Sequence, residues 1–194
     1  IQNYGISKRA LTAIKFNGGE ITVNSKEQNV RYMLQQGDVV QIKFPLEEVS
    51  EGLLPEYSPP FEIIYEDDYL LVLNKPPSVS TIPSREHPTG SVANFLIGYY
   101  EQKNINSTVH VVTRLDRDTS GLMCIAKHRH IHHLMSEQQK NGGVHREYEA
   151  IVHGHVQGDF QSIIHPIGRK ETSIIEREVR EDGQFAHTDL TVLE

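Results

Sequence analysis

The sequence predicts an α+β protein: a small α/β unit first, then a larger, mainly antiparallel mixed sheet whose C-terminal end is expected to be incomplete. Three observations predict it. Short β-branched and apolar runs outnumber helical patterns across the 194 residues, and tight polar turns join them. Residues 45–60, PLEEVSEGLLPEYSPP, hold four prolines and four glutamates, a composition that favours extended, semi-rigid chain. Charge changes across that segment. Residues 1–47 carry six basic against four acidic side chains, a net +2, and the overall −7 leaves −9 for the remainder. A small basic module on an acidic body suits a tethered binding domain. The expected boundaries are 1–47, a linker at 48–60, and a main domain at 61–194.

The elements follow in order. Ser7 is a good N-cap for a helix over 9–16, and Gly18-Gly19 supply its stop. Ala10, Leu11, Ala13 and Ile14 form its apolar stripe, with Lys8, Arg9 and Lys15 on the other side. Strands are expected at 21–23 and 39–44, with turns at Asn24-Ser25 and Gln36-Gly37-Asp38. A unit of about 45 residues buries little core by itself. From Phe61 the strands lengthen: 62–66, a turn at Asp67-Asp68, then 69–73, stopped by Asn74-Lys75-Pro76-Pro77. Ser91 can cap a helix over 92–101, and a second helix is expected at about 130–140, ended by Asn141-Gly142-Gly143. Strands are expected at 147–153, 173–179 and 188–193, with 154–168 mostly loop.

The bulk properties exclude several classes. No apolar stretch approaches the roughly 18 residues of a membrane span, and no basic, apolar N-terminal signal is present. The single Cys124 cannot form an internal disulfide, and its strand setting predicts a buried, inert thiol in a reducing cytoplasm. The chain opens at Ile1 and closes inside a strand-like LTVLE, so further sequence is expected, chiefly at the C-terminus.

The chemistry concentrates in HVVTRLDRDTSGLMCIAK, residues 110–127. Two apolar runs flank a polar loop at 114–121 with two arginines, two acids, Thr119, Ser120 and Gly121. A structural hairpin needs only a glycine and one Asx to turn. The surplus of ionisable groups marks a candidate active-site loop. Asp116 follows the strand end, with Arg114 and Arg117 near enough in sequence to favour its charged form and Asp118 opposing them. An ionised carboxylate there can act as nucleophile or general base. An Asx-type turn braced by the arginines accounts for the same residues, and a salt bridge to Asp118 accounts for Arg114. The histidines at 128, 130, 132 and 133 include an i, i+4 pair, but no His-Glu-x-x-His pattern or positioned third ligand supports a metal.

This stretch resembles the signature of RluA-type RNA pseudouridine synthases, Arg-Leu-Asp-x-x-Thr-Ser-Gly, at Arg114, Leu115, Asp116, Thr119, Ser120 and Gly121. The resemblance extends to Asn74-Lys75-Pro76, to Arg146-Glu147-Tyr148-Glu149-Ala150 with Val152 and Gly154, to Ile167-Gly168-Arg169-Lys170, and to Val192-Leu193-Glu194. Residues 1–47 resemble the small RNA-binding fold (alpha-L motif) of a small-subunit ribosomal protein. That match rests on Ala13-Ile14-Lys15, Ile21-Thr22-Val23-Asn24 and Leu34-Gln35-Gln36-Gly37-Asp38.

The resemblance implies isomerisation of uridine to pseudouridine in ribosomal or transfer RNA, with no redox partner, nucleotide or metal, and no cofactor. Asp116 takes the position of the essential carboxylate and Tyr148 that of the active-site tyrosine. Arg114, Arg117, Thr119 and Lys75 are the expected substrate-binding residues, and Lys8, Arg9, Lys15 and Lys26 the expected phosphate contacts of the small domain. The expected partner is RNA rather than DNA or a membrane, and the expected state is a cytoplasmic monomer.

Two departures touch substrate detail: Thr113 stands where many members have His, and Ser80-Thr81-Ile82-Pro83-Ser84 stands where many have His-Pro. A third is larger. The family's Gly-Arg-Thr-His-Gln-Ile-Arg block, whose arginine completes the site, has no match here, so the chain alone is expected to be inactive. Two alternatives remain. One is an RNA-binding fragment without catalysis. The other is a Mg²⁺-dependent phosphotransferase of haloacid-dehalogenase type, with Asp116 as nucleophile and Asp118 as acid on a Rossmann-like sheet.

Overall fold

The computed structural model describes residues 4–173 and 176–193. The chain divides into two compact units, Ile1–His145 and Arg146–Glu194.

The first unit opens with helix α1, Lys8–Phe16, where the Ser7 hydroxyl accepts the Ala10 amide at 3.1 Å, and Ile14 is the residue α1 buries. Strand β1, Glu20–Val23, turns through Asn24 and Ser25, both at positive φ, into the short β2, Lys26–Glu27. Strand β3, Val40–Lys43, closes a three-stranded antiparallel sheet in the order β2-β1-β3. The sequence pattern does not show β2, because two residues are too few to display a period.

The larger sheet is four-stranded, in the order β4-β5-β7-β6, and every pairing is antiparallel. Its strands are β4, Glu62–Glu66, β5, Leu70–Lys75, β6, His110–Val111, and β7, Gly121–Ala126. Helix α2, Val92–Lys103, lies between β5 and β6 in sequence and starts from a capping box made by Ser91 and Asn94. Leu71 and Leu73 of β5, Met123 and Ile125 of β7, Val92 and Leu96 of α2, and Leu115 form one buried core. Burial alternates along β5, with Leu71 and Leu73 inward, although Leu70–Leu73 is a continuous apolar run in the sequence. Helix α3, Arg129–Lys140, packs against β6 and β7.

The segment expected to be a linker is packed along α2. Buried Asn94 donates through Nδ2 to Leu54 O at 2.8 Å and to Pro88 O at 3.1 Å, and the Glu56 amide donates to Asn94 O at 3.0 Å. Gly98 permits this approach, because a Cβ there would lie 2.0 Å from Glu56 O.

The second unit holds two small antiparallel pairs. Strand β8, Phe160–Ile164, pairs with β11, His187–Thr191, and β9, Ile167–Arg169, pairs with β10, Arg177–Val179. Three expectations need correction. Residues 154–168, expected to be mostly loop, contain β8 and the start of β9. The expected strand 188–193 begins one residue earlier and ends at Thr191; the last residue of the sequence, Glu194, lies outside the described residues, as do positions 174–175 of the expected strand 173–179. Residues 147–153, expected to be a strand, are not one, since no described segment supplies a ladder partner.

The α+β class with antiparallel sheets is as the sequence predicts. No helix among the described residues is long and apolar enough to cross a membrane.

Candidate active site

The polar loop at 114–121 joins β6 to β7. Gly121 starts β7 at φ +126°, a conformation that L side chains rarely adopt, so a glycine is needed where the loop re-enters the sheet. On the entry side, the Val112 and Thr113 amides both donate to Cys124 O, at 2.9 and 3.3 Å, and the Thr113 hydroxyl accepts the Cys124 amide at 3.0 Å. Thr113 thus works as a tie between loop and sheet.

Inside the loop, three consecutive carbonyls are held from three directions. The Thr81 hydroxyl donates to Leu115 O at 2.6 Å. The Thr119 amide donates to Asp116 O at 3.2 Å. The Lys75 ammonium donates to Arg117 O at 2.9 Å, and also to Pro76 O at 2.9 Å and Val79 O at 2.8 Å. The backbone on both sides of Asp116 is therefore fixed, while its own side chain is exposed and receives no hydrogen bond from the described residues. An exposed carboxylate on a clamped backbone is positioned without being consumed by structure.

Lys75 differs from its expected role as a substrate contact. It is fully buried, and its ammonium is committed to three carbonyls. Burial pushes its pKa down, while the charges of Asp118 and Asp116 pull it part of the way back. Sequence shows a lysine before a proline and cannot show that the side chain turns inward.

Arg114 and Arg117 are exposed on the same loop, and among the described residues neither forms an ion pair with Asp116 or Asp118. The salt bridge proposed as a structural role for Arg114 is not formed. Arg117 reaches only a long contact, from Nε to Ser78 O at 3.5 Å. Thr119 is half-buried and contributes its amide. The loop thus brings together Asp116, Arg114, Arg117 and Thr119, with Lys75 beneath.

Tyr148 belongs to the second unit, where it is 60% exposed in a stretch without regular secondary structure. Its spacing suggested a core aromatic as the structural alternative, and its exposure removes that alternative. Lys8, Arg9, Lys15 and Lys26 are all exposed on the small α/β unit, and the Lys15 ammonium sits 5.0 Å from the Phe16 ring centroid.

The histidines have other tasks. His128 is the N-cap position of α3, His130 stacks on Phe44 at 5.0 Å, and His132 Nε2 lies 3.1 Å from Val111 O. His110 pairs with Glu47. Cys124 is half-buried rather than buried, and its burial pushes the thiol pKa up. Concave sites of about 330 and 270 Å³ lie elsewhere, one beside α1 and β1 and one beside the C-terminal half of α2, and neither includes the 114–121 loop.

Sequence reasoning named Thr81 only as part of a departure from the family pattern. Its signal in the sequence is weak: a lone threonine in a proline-rich loop. The rival phosphotransferase reading needed a parallel, Rossmann-like sheet, and all strand pairings among the described residues are antiparallel.

An antiparallel α+β core presenting a clamped acid loop is the arrangement that a family model described as RNA pseudouridylate synthase covers, matching residues 69–194. The chain belongs to this family. Among curated relatives, YjbO of Bacillus subtilis (strain 168), named as an uncharacterized RNA pseudouridine synthase, is 53% identical over 188 residues, covering 97% of this chain and 66% of the relative. The ribosomal large subunit pseudouridine synthase D of Yersinia pestis is 32% identical over 175 residues, covering 90% of this chain and 53% of the relative. Among solved structures, human RNA pseudouridylate synthase domain containing 1 aligns with a TM-score of 0.54 at 25% identity, covering 69% of this chain and 52% of that one. The chain thus spans between about half and two thirds of the length of these relatives. The family match starts at residue 69, so the resemblance of residues 1–47 to the alpha-L fold lies outside it.

Proposed function

We propose that the protein isomerises uridine to pseudouridine within RNA, with Asp116 as the essential carboxylate. One observation carries the reading. In the segment that matches the family, Asp116 combines a backbone held on both sides with an exposed carboxylate that accepts no hydrogen bond from the described residues, and it stands at the acid position of the family-like Arg-Leu-Asp signature. In the reaction the N1–C1′ bond breaks, the uracil turns while held, and a C5–C1′ bond forms. The Asp116 carboxylate serves either by adding to C1′ or by taking the 2′ proton. An exposed carboxylate on a fixed loop suits a nucleotide flipped out of its stack, or one in a single strand. Exposed Arg114 and Arg117 then serve the flanking phosphates. Tyr148 stacks on the uracil or moves a proton at C5. The small N-terminal domain, with Lys8, Arg9, Lys15 and Lys26 on its surface, adds RNA affinity. Ribosomal RNA is the favoured substrate, because relatives such as the Yersinia enzyme are named for the large ribosomal subunit.

The test uses the full-length protein, unmodified large-subunit ribosomal RNA, and pseudouridine mapping. Asp116→Asn is expected to reduce the modification rate by about 10³-fold or more. It is expected to alter stability by no more than about 0.5 kcal/mol, since the carboxylate is exposed and makes no internal hydrogen bond. Equal modification by the two proteins would remove Asp116 from the reaction.

A further inference from the structure

Thr81 lies between β5 and α2, in a segment fixed at its far end by the start of the helix. The Val92 amide donates to Ser80 O at 2.9 Å, and the Ala93 amide donates to Thr81 O at 3.1 Å. The backbone of Thr81 thus satisfies an otherwise free helix amide. Its side chain faces the other way. The hydroxyl is in a residue only 6% exposed, donates to Leu115 O at 2.6 Å, and has the Met123 sulfur at 3.9 Å. Among the described residues this hydroxyl is the donor to that carbonyl.

The peptide unit is planar, so fixing the Leu115 carbonyl also fixes the direction of the Asp116 N and Cα. The Leu115 side chain is itself locked in the core, 8% exposed. Rotation of the Leu115–Asp116 peptide plane is then opposed chiefly by the Thr81 hydroxyl. The next two planes are held by the Thr119 amide and by Lys75. Loss of the first restraint leaves a buried carbonyl without a donor, and that carbonyl gains by turning toward solvent. Asp116 turns with it.

We infer that Thr81 is a positioning residue for Asp116, acting through the Leu115 carbonyl and linking the N-terminus of α2 to the catalytic loop. This rests on the proposed role of Asp116.

The test uses the full-length protein with unmodified large-subunit ribosomal RNA in single-turnover reactions, plus amide exchange of the peptide covering 114–121. Thr81→Val keeps the shape and removes the hydroxyl, and Thr81→Ser keeps the hydroxyl. Thr81→Val is expected to slow the single-turnover step by about 10- to 100-fold, leave RNA affinity within about twofold, and speed exchange in 114–121. Thr81→Ser is expected to restore rate and exchange to near those of the unsubstituted protein. If the valine variant does not fold, serine against alanine at position 81 isolates the hydroxyl, since both lack the methyl group. Unchanged rate and exchange in Thr81→Val, or equal losses in the serine variant and the hydroxyl-free one, would overturn the inference. Asp116→Asn runs in parallel. If it modifies RNA as well as the unsubstituted protein does, the assignment of Asp116 has failed, and the exchange measurement still decides whether Thr81 holds the loop.

Discussion

Lys75 ends β5 with its ammonium fully buried and facing three carbonyls, two from the chain that follows it and one from the 114–121 loop. A buried charge is tolerated only when its donors are used, and here all three are. Replacing it with methionine keeps most of the volume and strips the donor from Pro76, Val79 and Arg117 at once. Lys75→Met is expected to lower stability by about 2–3 kcal/mol in urea unfolding, because bonds to a charged donor are the stronger kind. Unchanged stability would mean that the burial cost of the ammonium cancels its bonds. Around Asp116 the logic is reversed: the backbone is restrained and the side chain is left available. A carboxylate consumed by an Asx-type turn would accept nearby amides, as Asp67 does from Tyr69 and Leu70 at 2.7 Å each. Asp116 accepts none among the described residues.

At the scale of elements, α2 is the scaffold on which the site is mounted. Its N-terminus fixes Ser80 and Thr81, its apolar face closes the core over β5 and β7, and its other contacts hold the 45–60 segment. Gly98 is the point of closest approach. Gly98→Ala would place a methyl 2.0 Å from Glu56 O, a backbone atom that can yield only if the segment shifts. The expected cost is about 2–3 kcal/mol in thermal or urea unfolding, against the small gain alanine usually brings to a helix interior. A stabilised variant would show that the packed segment is loosely held. Proline and glutamate content indicated extended chain, which is correct locally, and tertiary contacts turned that chain into a packed strap.

Across the first unit, several ionisable groups give acid sensitivity of one sign. Burial pushes the pKa of His130 down, as does the nearby His133. Burial also lowers His132, against the Val111 carbonyl that raises it, with His110 and His133 adding to the lowering. A histidine with a depressed folded pKa is harder to protonate folded than unfolded. Its contribution is complete above the ordinary value of about 6.5 and is lost as pH falls from there toward the folded value. Glu47 and Glu66 extend the trend to lower pH. Burial raises each carboxyl, and this is more than offset at Glu47 by His110 and the Arg129 amide, and at Glu66 by Lys127 and Tyr99. Their contribution is full above the ordinary carboxylate value of about 4.3 and is lost below it. Tm is expected to fall as pH drops from 7.5 to 5.5. His130→Phe, which keeps a ring against Phe44 and removes a buried Nδ1 that has no hydrogen-bond partner among the described residues, should recover about 2 °C or more of that fall in a thermal melt. A pH profile identical to that of the unsubstituted protein would exclude His130 as a contributor.

Much of this was legible in the residues. The short apolar runs of β5 and β7, the Ser7 and Ser91 caps and the family signature around Asp116 are local patterns, and local patterns survive without knowledge of neighbours. The failures share one cause. Residues 147–153 read as a strand in composition, yet a strand exists only with a partner, and pairing is a property of distant chain. Lys75 looked like a ligand for RNA because sequence cannot show which way a side chain turns at a strand end. Thr81 looked incidental because its hydroxyl acts on a carbonyl 34 residues away. The sequence by itself determined the class of fold and the family, and it singled out Asp116 as the candidate acid. Only the tertiary structure decided what holds that acid in place, because the carbonyls on either side of it are bound by side chains that approach through space rather than along the chain.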